Sequence, residues 1–285
     1  MTKPGIMLAL GLAVSVPRAA TNIPADRTVY ISVLDDSGQP VSDLTPADLV
    51  VKEGGKERTI VKVERASTPL RLALAVEERL TADTAVRTGL FEIMKRLSGA
   101  GEISLITIGV RNTTIVDYTT SLEALVEGIR KLTLNPPRDN ALAEGVLELA
   151  NRFIDAKPAR PVIVAVAVSG GRGSLDPHLV LERLGQSGAT MYAVTLLTFA
   201  PPDSTDTMRS DQVIGDGSRQ SGGRRIEVTA TGAMPRALLQ VANELLAQYA
   251  VTYTLPASTK LDRRLNVNLK RRGVSLRAPS IIPDK

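Results

Sequence analysis

Hydrophobic residues alternate with polar ones at both ends of the chain, whereas they form unbroken runs in its middle. Near the N-terminus, "TVYISVLD" has the alternation of a strand, and "LVVKEGGKERTIVKVER" predicts two strands joined at Gly54 and Gly55. Near the C-terminus, "YAVTYTLP", "RRLNVNLKRR" and "VSLRAP" predict more strands. Neither end has enough strands for independent stability, so we expect the two ends to form one small β-module.

The middle of the chain repeats one pattern of strand and helix. The apolar runs "LRLALAV", "EISLITIG", "RPVIVAVAVSGG" and "TMYAVTLL" are typical of strands buried on both faces, and "NTTIVDYT" predicts a further strand. Segments with helical spacing separate most of them, for example "ADTAVRTGLFEIMKRLS" and "SLEALVEGIRKL". This alternation predicts an α/β fold, a doubly wound Rossmann-like parallel sheet with helices on both faces.

These patterns divide the chain into four parts. We predict a signal peptide, the N-terminal strands of the module, an α/β domain and the C-terminal strands, at residues 1–20, 21–67, 68–248 and 249–285. Residues 200–225 are rich in Pro, Asp, Ser and Gly, which predicts a long flexible loop inside the α/β domain.

The first residues have the layout of a secretory signal peptide. Lys3 precedes an apolar stretch at residues 6–16, and small residues follow. We therefore expect the protein to be exported to the periplasm or the extracellular space. No other segment is long and apolar enough to cross a bilayer, so we expect no membrane insertion after the signal is removed.

Composition excludes several classes of chemistry. The chain has no cysteine, which excludes thiolate nucleophiles, iron–sulfur clusters and disulfides. Its single histidine, His178, leaves almost no room for a Ser-His-Asp triad or a multi-histidine zinc site. Aromatic residues make up only 3% of the chain, which favours α/β layers over an aromatic-rich β-sandwich. We predict no catalytic residues and no cofactor.

Positive charge is concentrated at the C-terminus. Eight Lys or Arg and two Asp lie from Lys260 onward, whereas the whole chain carries a net charge of +5. This segment alternates basic and apolar residues and has no aromatic residue on which a base could stack. We interpret it as a strand pair with a solvated basic face, and we predict no nucleic-acid partner.

Three smaller features have an ordinary structural explanation. The "GGRGS" segment at residues 170–174 follows a buried strand, but it lacks the glycine spacing and the lysine of a phosphate-binding loop. Glu144 and Glu148 lie one turn apart on a predicted helix, where a solvated face is a commoner explanation than acid–base catalysis. His178 falls in the first turn of a helix and is expected at the surface.

Taken in order, these elements resemble a von Willebrand factor A (VWA) domain, and more narrowly the bacterial secreted "VWFA-related" family. The resemblance runs from about Thr28 to Ile282. It is carried by "ISVLDDSGQPVSDLTPADLVVKEGGKERTIVKVE", "PLRLALAV", "RPVIVAVAVSGG", "LGQSGATMYAVTL" and "ALLQVANELLAQYAVTYTLP". It implies a metal-ion-dependent adhesion site (MIDAS) at the carboxyl end of the sheet, where oxygen ligands hold Mg²⁺ or Ca²⁺.

The residues at the positions of that site do not match the family motif. The motif Asp falls on Glu77, its two Ser residues fall on Arg79 and Thr81, and the final Asp falls on Gly170. Arg79 would repel a dication and could pair with Glu77 or Glu78 instead. The resemblance therefore implies a degenerate MIDAS that binds no metal, with ligand-face candidates at Glu77, Arg79, Thr81, Asn140, Ser169 and Gly170. A weak metal site rebuilt from Glu77, Glu78 or Asp83 remains an alternative.

The sequence thus predicts a non-enzymatic, exported adhesion or scaffold domain that binds a protein partner through the loops at the carboxyl end of its sheet. Two alternatives stay open. The chain could be a structural component of an envelope complex that docks through its β-module, or an α/β enzyme of hydrolase or nucleotide-binding type. The missing nucleophile–histidine pair and the missing phosphate loop argue against the enzyme.

Overall fold

A sheet of six strands runs through the middle of the protein. The computed structural model describes residues 25–109, 112–132, 142–169, 174–197, 205–255 and 262–283. The strands of this central sheet are β5 (Leu70–Glu77), β6 (Gly101–Ile108), β7 (Thr113–Thr119), β8 (Pro161–Val168), β9 (Thr190–Leu196) and β10 (Arg225–Val228). They are ordered β10-β9-β8-β5-β6-β7. Five strands are parallel, and β7 pairs with β6 in the antiparallel direction. The predicted α/β fold is confirmed, with one antiparallel edge strand.

Six helices cover the two faces of this sheet within the described residues. They are α1 (Thr84–Leu97), α2 (Leu122–Lys131), α3 (Leu142–Ala156), α4 (Pro177–Ser187), α5 (Thr205–Gln220) and α6 (Met234–Leu246). The apolar stripes of α1, α2 and α6 pack in one core cluster with Leu72 and Leu74. Those of α3, α4 and α5 pack in another with Ala73 and Ala75. Alternate residues of β5 thus face opposite helical layers, as expected for a doubly wound sheet.

The prediction of a flexible loop at residues 200–225 was wrong for most of that segment. Thr205–Gln220 forms α5, and Arg225–Val228 forms the edge strand β10. The helix buries a narrow stripe of small and β-branched side chains against α4 and β9, including Val213, Ile214 and Gly217. Because Gly, Ser and Asp dominate the rest of the segment, its composition concealed this helical spacing. No helix among the described residues is long and apolar enough to span a membrane.

The two ends of the chain share a β-module, as predicted from their strand patterns. Its strands are β1 (Ala25–Asp35), β2 (Leu49–Glu53), β3 (Lys56–Arg58), β4 (Ile60–Arg65), β11 (Tyr249–Leu255), β12 (Leu265–Leu269) and β13 (Val274–Arg277). They form a four-stranded sheet ordered β13-β1-β11-β4 and a three-stranded sheet ordered β12-β2-β3. Side chains of both sheets share one apolar core.

The basic C-terminal segment is not the strand pair that its pattern predicted. β12 pairs with β2 and β13 pairs with β1, so the two strands belong to different sheets. Each finds its partner at the other end of the chain because each buries its apolar residues in the module core. Several of its arginines form ion pairs, among them Arg271 with Asp43 at 2.7 Å.

A buried polar cluster joins the β-module to the central sheet. The Glu244 side chain on α6 is only 2% exposed and accepts a hydrogen bond from the Tyr192 hydroxyl at 3.2 Å. Arg277 of β13 donates to the same carboxylate at 3.0 Å, and Arg224 lies 3.1 Å from its other oxygen. Because the carboxylate binds groups from both parts, it fixes the module against the sheet.

Candidate binding surface at the carboxyl end of the central sheet

The candidate surface lies where the central parallel strands end. β5 lies between β6 and β8, and its last residue is Glu77. The chain then makes a single 3-10 turn (Glu78–Leu80) before α1 begins. In open α/β sheets this edge is where ligands most often bind, because the loops that leave neighbouring strands meet there.

The carboxylate of Glu77 is buried and both of its oxygens accept hydrogen bonds. Its side chain is 2% exposed. Oε1 accepts from Nε of Arg79, and Oε2 accepts from the backbone N–H of Val168 at 2.8 Å. Burial raises the pKa of Glu77, and the hydrogen bonds from Val168 and Arg79 oppose that rise without cancelling it.

Arg79 folds back over the strand end to reach Glu77. Its side chain is 34% exposed, so the guanidinium is partly in solvent while Nε contacts the buried carboxylate. The sequence left two partners open for Arg79, Glu77 or Glu78, and the structure pairs it with Glu77. The salt bridge therefore holds the Arg79 cation beside Glu77, which is the only motif position where the sequence keeps a carboxylate.

Thr81 is buried and its side chain belongs to the loop itself. It is 1% exposed, and its hydroxyl donates to the carbonyl of Glu78 at 2.8 Å. Its own carbonyl accepts from Nε of Arg87 at 2.6 Å, and Arg87 also donates to the carbonyl of Leu132. These bonds hold the loop against α1.

The other two acidic residues of this loop, Asp83 and Glu78, contact their own chain nearby. Asp83 is the N-cap of α1 and accepts from the backbone N–H groups of Ala85 and Val86 at 2.8 and 3.1 Å. Glu78 packs over Gly109, where an added Cβ would lie only 2.4 Å from the Glu78 carboxyl carbon. Gly109 therefore leaves the space that the Glu78 side chain fills.

The remaining predicted residues fall on the neighbouring loops. Ser169 follows β8 directly, is half-buried and donates its backbone N–H to the carbonyl of Leu196 at 2.8 Å. Asn140 and Gly170 lie outside the described residues. The structure thus brings Glu77, Arg79 and Thr81 together and places Ser169 one residue beyond Val168, which donates to Glu77.

Glu144 also belongs to this surface, although the sequence favoured a solvated helix face. It lies in the first turn of α3 and is half-buried. Its Oε1 accepts from both the backbone N–H and the hydroxyl of Ser174, at 3.1 and 3.0 Å, while its buried Oε2 has no hydrogen-bond partner. Glu148 is also half-buried by residue, but its side chain is 44% exposed and pairs with Arg152. Of the two, Glu144 is the one that bonds to Ser174.

The described residues contain no cluster of three or more His, Cys, Asp or Glu side chains arranged to hold a metal ion. His178 is exposed at the start of α4, as predicted. The polar groups gathered at this strand end are the Glu77 carboxylate, the Arg79 guanidinium and the Val168 N–H that donate to it, and the Thr81 hydroxyl, which donates to the Glu78 carbonyl.

No protein-family model matches the sequence, and no curated protein matches it either. Among solved structures, the mussel byssus protein PTMP1 (proximal thread matrix protein 1), with zinc in its MIDAS motif, has a TM-score of 0.51 at 12% identity. That match covers 70% of this chain and 50% of the mussel protein, so this chain spans about half the length of that protein.

Two bacterial structures are also similar. A von Willebrand factor type A protein from Catenulispora acidiphila has a TM-score of 0.48 at 9% identity, covering 91% of this chain and 73% of that one. The vWF domain of the pilus tip protein Mfa5 from Porphyromonas gingivalis has a TM-score of 0.46 at 9% identity, covering 62% and 95%. At these identities the likeness concerns the fold alone, and the chain has a VWA-type fold.

Proposed function

We propose that this chain is a non-enzymatic, exported protein-binding domain whose sheet-end surface contacts its partner without a divalent metal. The observation that carries the proposal is the closed pair of Glu77 and Arg79 at the carboxyl end of β5. A shared VWA-type fold does not assign a function by itself, so the proposal depends on the residues at this surface.

The side chains around Glu77 do not suit a dication. Mg²⁺ and Ca²⁺ need several oxygen ligands, usually with more than one carboxylate. Here the Glu77 oxygens accept from Arg79 and Val168, and Asp83 caps a helix. A unit charge about 4 Å from a like charge costs roughly 4 kcal/mol at an effective dielectric near 20, and a dication would double that. Arg79 therefore opposes the metal that the fold family implies.

The same surface is suited to direct contact with a protein. Arg79, Ala82 and Thr84 are exposed around the buried pair, and Ser174 is exposed on the neighbouring loop. The hydrogen bonds of Thr81 and Asp83 hold this loop in place, so these exposed side chains can contact a partner without a change in the loop. The partner would therefore contact side chains of this chain instead of a shared ion.

Export is supported by the signal-peptide pattern of residues 1–20, which lie outside the described residues. If it is correct, the protein purified from its native cell begins near Thr21. N-terminal sequencing of that protein measures this directly, and retention of Met1 in a cytoplasmic fraction would contradict export.

The binding proposal is tested by capturing partners from an envelope extract of the native cell, with and without EDTA. We expect the same partner in both samples, since no metal is shared. Ala82→Trp adds bulk to the surface and should reduce capture about tenfold. Ala124→Trp is the matched control, because Ala124 is also exposed but lies in the first turn of α2, near the other end of the sheet. Capture that EDTA abolishes and Mg²⁺ restores would contradict the proposal, as would equal capture by all three proteins.

A further inference from the structure

One edge of the β-module is open. β4 lies at the end of the four-stranded sheet and pairs with β11 on one side. Within the described part of the chain, no strand pairs with β4 on its other side. An open edge of this kind presents main-chain donors and acceptors to whatever lies beside it. A further strand can therefore add to the sheet at β4.

The hydrogen bonds between β4 and β11 show which main-chain groups of β4 face outward. Ala66 donates its N–H to the carbonyl of Gln248 at 2.9 Å, and residues 62–65 pair with β11 in the same register. Bonding residues alternate along an antiparallel strand, so the even-numbered residues of this stretch bond to β11. The N–H and C=O groups of Val63 and Arg65 therefore point to the open edge.

The side chains of β4 carry opposite charges beside an exposed apolar group. Lys62 and Glu64 have side chains that are 60% and 46% exposed, and Nζ of Lys62 lies 2.8 Å from Oε2 of Glu64. Val63 packs partly against the core of the module, so the two charged side chains lie on the solvent face of the strand. Val61 is 54% exposed, and it is the one exposed large hydrophobic residue among the described residues of the β-module.

This strand is complementary to a second copy of itself in one antiparallel register. When two copies are centred on Val63, Lys62 of each copy lies opposite Glu64 of the other. The two Val63 residues then exchange main-chain hydrogen bonds, because their N–H and C=O groups face the open edge. Centring the pair on Lys62 or on Glu64 would place like charges opposite each other, which is destabilising. An edge lysine discourages most strands, but this register brings a carboxylate to it.

We propose that β4 pairs with β4 of a second copy of this chain across a two-fold axis at Val63. The contact is isologous, because each copy contributes the same strand. It joins the four-stranded sheets of the two copies into one continuous sheet. The register of β4 with β11 shifts between Lys62 and Ile60, and this bulge shortens the regular stretch. We therefore expect a weak dimer, with a dissociation constant of about 0.1 mM.

Sedimentation equilibrium of the whole chain, from about 10 µM to about 1 mM, tests the proposal. The apparent mass should rise with concentration towards that of two chains. Lys62→Glu and Glu64→Lys should each weaken association about tenfold or more, because like charges then face each other across the axis. Lys56→Glu is the matched control, since Lys56 is exposed on β3 and its reversal should leave association unchanged.

A mixture of the two variants separates self-pairing from any other contact. Lys62→Glu and Glu64→Lys in equal amounts should associate within about threefold of the wild type, because each supplies the charges that the other lacks. A chain that carries both changes should recover in the same way. Amide hydrogen exchange at Val63 should also slow as the concentration of the wild type rises.

The proposal is overturned if the wild type remains a monomer at about 1 mM. It is also overturned if Lys62→Glu associates as well as the wild type, or if neither the mixture nor the doubly changed chain recovers. The surface around Glu77 plays no part in this contact, so either proposal can fail alone.

Discussion

The central sheet and the β-module each bury a carboxylate beside an arginine, but the two arginines differ in exposure. At the carboxyl end, Glu77 uses both oxygens within the chain, and Arg79 remains one-third exposed at 34%. In the β-module, Oε2 of Glu53 lies 3.3 Å from Nη1 of Arg27 and accepts from the Tyr253 hydroxyl at 2.7 Å, and both charged side chains are buried.

This difference decides what each pair can accept or lose. At the sheet end, a third charge brought to Glu77 must displace an existing bond. In the β-module, the buried guanidinium of Arg27 cannot turn to water, so removal of Glu53 leaves its charge uncompensated. The family-motif position therefore carries the partly exposed pair, whereas stability depends more on the pair in the β-module.

Removal of Glu53 should have the largest effect on stability. Glu53→Ala leaves Arg27 buried without its counter-charge and removes the acceptor of the Tyr253 hydroxyl, so we expect a loss of about 3 to 5 kcal/mol in the free energy of unfolding. Urea denaturation measures it. Glu57→Ala is the control, since Glu57 is exposed on β3 and should change stability little. A loss near that of the control would show that the Glu53 carboxylate does not stabilise Arg27 in the folded protein.

Removal of Glu77 should cost less. Glu77→Ala leaves the N–H of Val168 buried without its acceptor, which costs about 1 to 3 kcal/mol. Arg79 adds little to that cost because its partly exposed guanidinium can turn to water. The same urea measurement applies. If Glu77→Ala destabilises the protein as much as Glu53→Ala, the two buried pairs do not differ in the way described.

The effect of pH at Glu77 should be the smallest of the three. Burial raises its pKa, so the folded protein binds this proton more tightly than the unfolded chain. Its stabilising contribution is therefore present below the ordinary carboxyl pKa and is lost as the pH rises through the raised value.

Glu77→Gln removes this titration. The difference in unfolding free energy between wild type and Glu77→Gln should accordingly decrease as the pH rises from about 4 to about 8. Unfolding curves at several pH values measure it, with Glu57→Gln as a variant that should show no such trend. A difference that grows with pH would mean that the Arg79 and Val168 bonds outweigh burial.

Sequence patterns predicted most of the fold because burial on one or both faces of a strand fixes a visible periodicity. The unbroken runs of β5 and β8 and the alternation of β1 are examples. The pattern failed at α5. There a narrow buried stripe containing Val213 and Ile214 is enough to pack the helix against α4 and β9.

The two buried ion pairs were predicted unevenly for a physical reason. A motif comparison could place Glu77, Arg79 and Thr81, since they follow one strand in sequence. Arg27 and Glu53 come from two strands that never pair, so only the folded module brings them together. One signal was available: Arg27 shares the inward phase of Val29 and Ile31, and Glu53 shares that of Val51.

Rebuilding the family motif would sharpen the comparison further. Glu77→Asp, Arg79→Ser, Thr81→Ser, Asn140→Thr and Gly170→Asp together remove the cation and add a second carboxylate. We expect this variant to gain saturable Mg²⁺ binding in the millimolar range or below, near a free energy of about −4 kcal/mol. Absence of binding in a folded variant would show that the motif positions were assigned in the wrong register.

The central claim is that Glu77 is occupied by its own chain and offers no metal site. Isothermal titration of the wild-type protein with MgCl₂, MnCl₂ and CaCl₂ tests it most directly. The closed pair of Glu77 and Arg79 predicts no saturable heat with any of the three. Stoichiometric metal binding by the wild type that Glu77→Ala abolishes would contradict it.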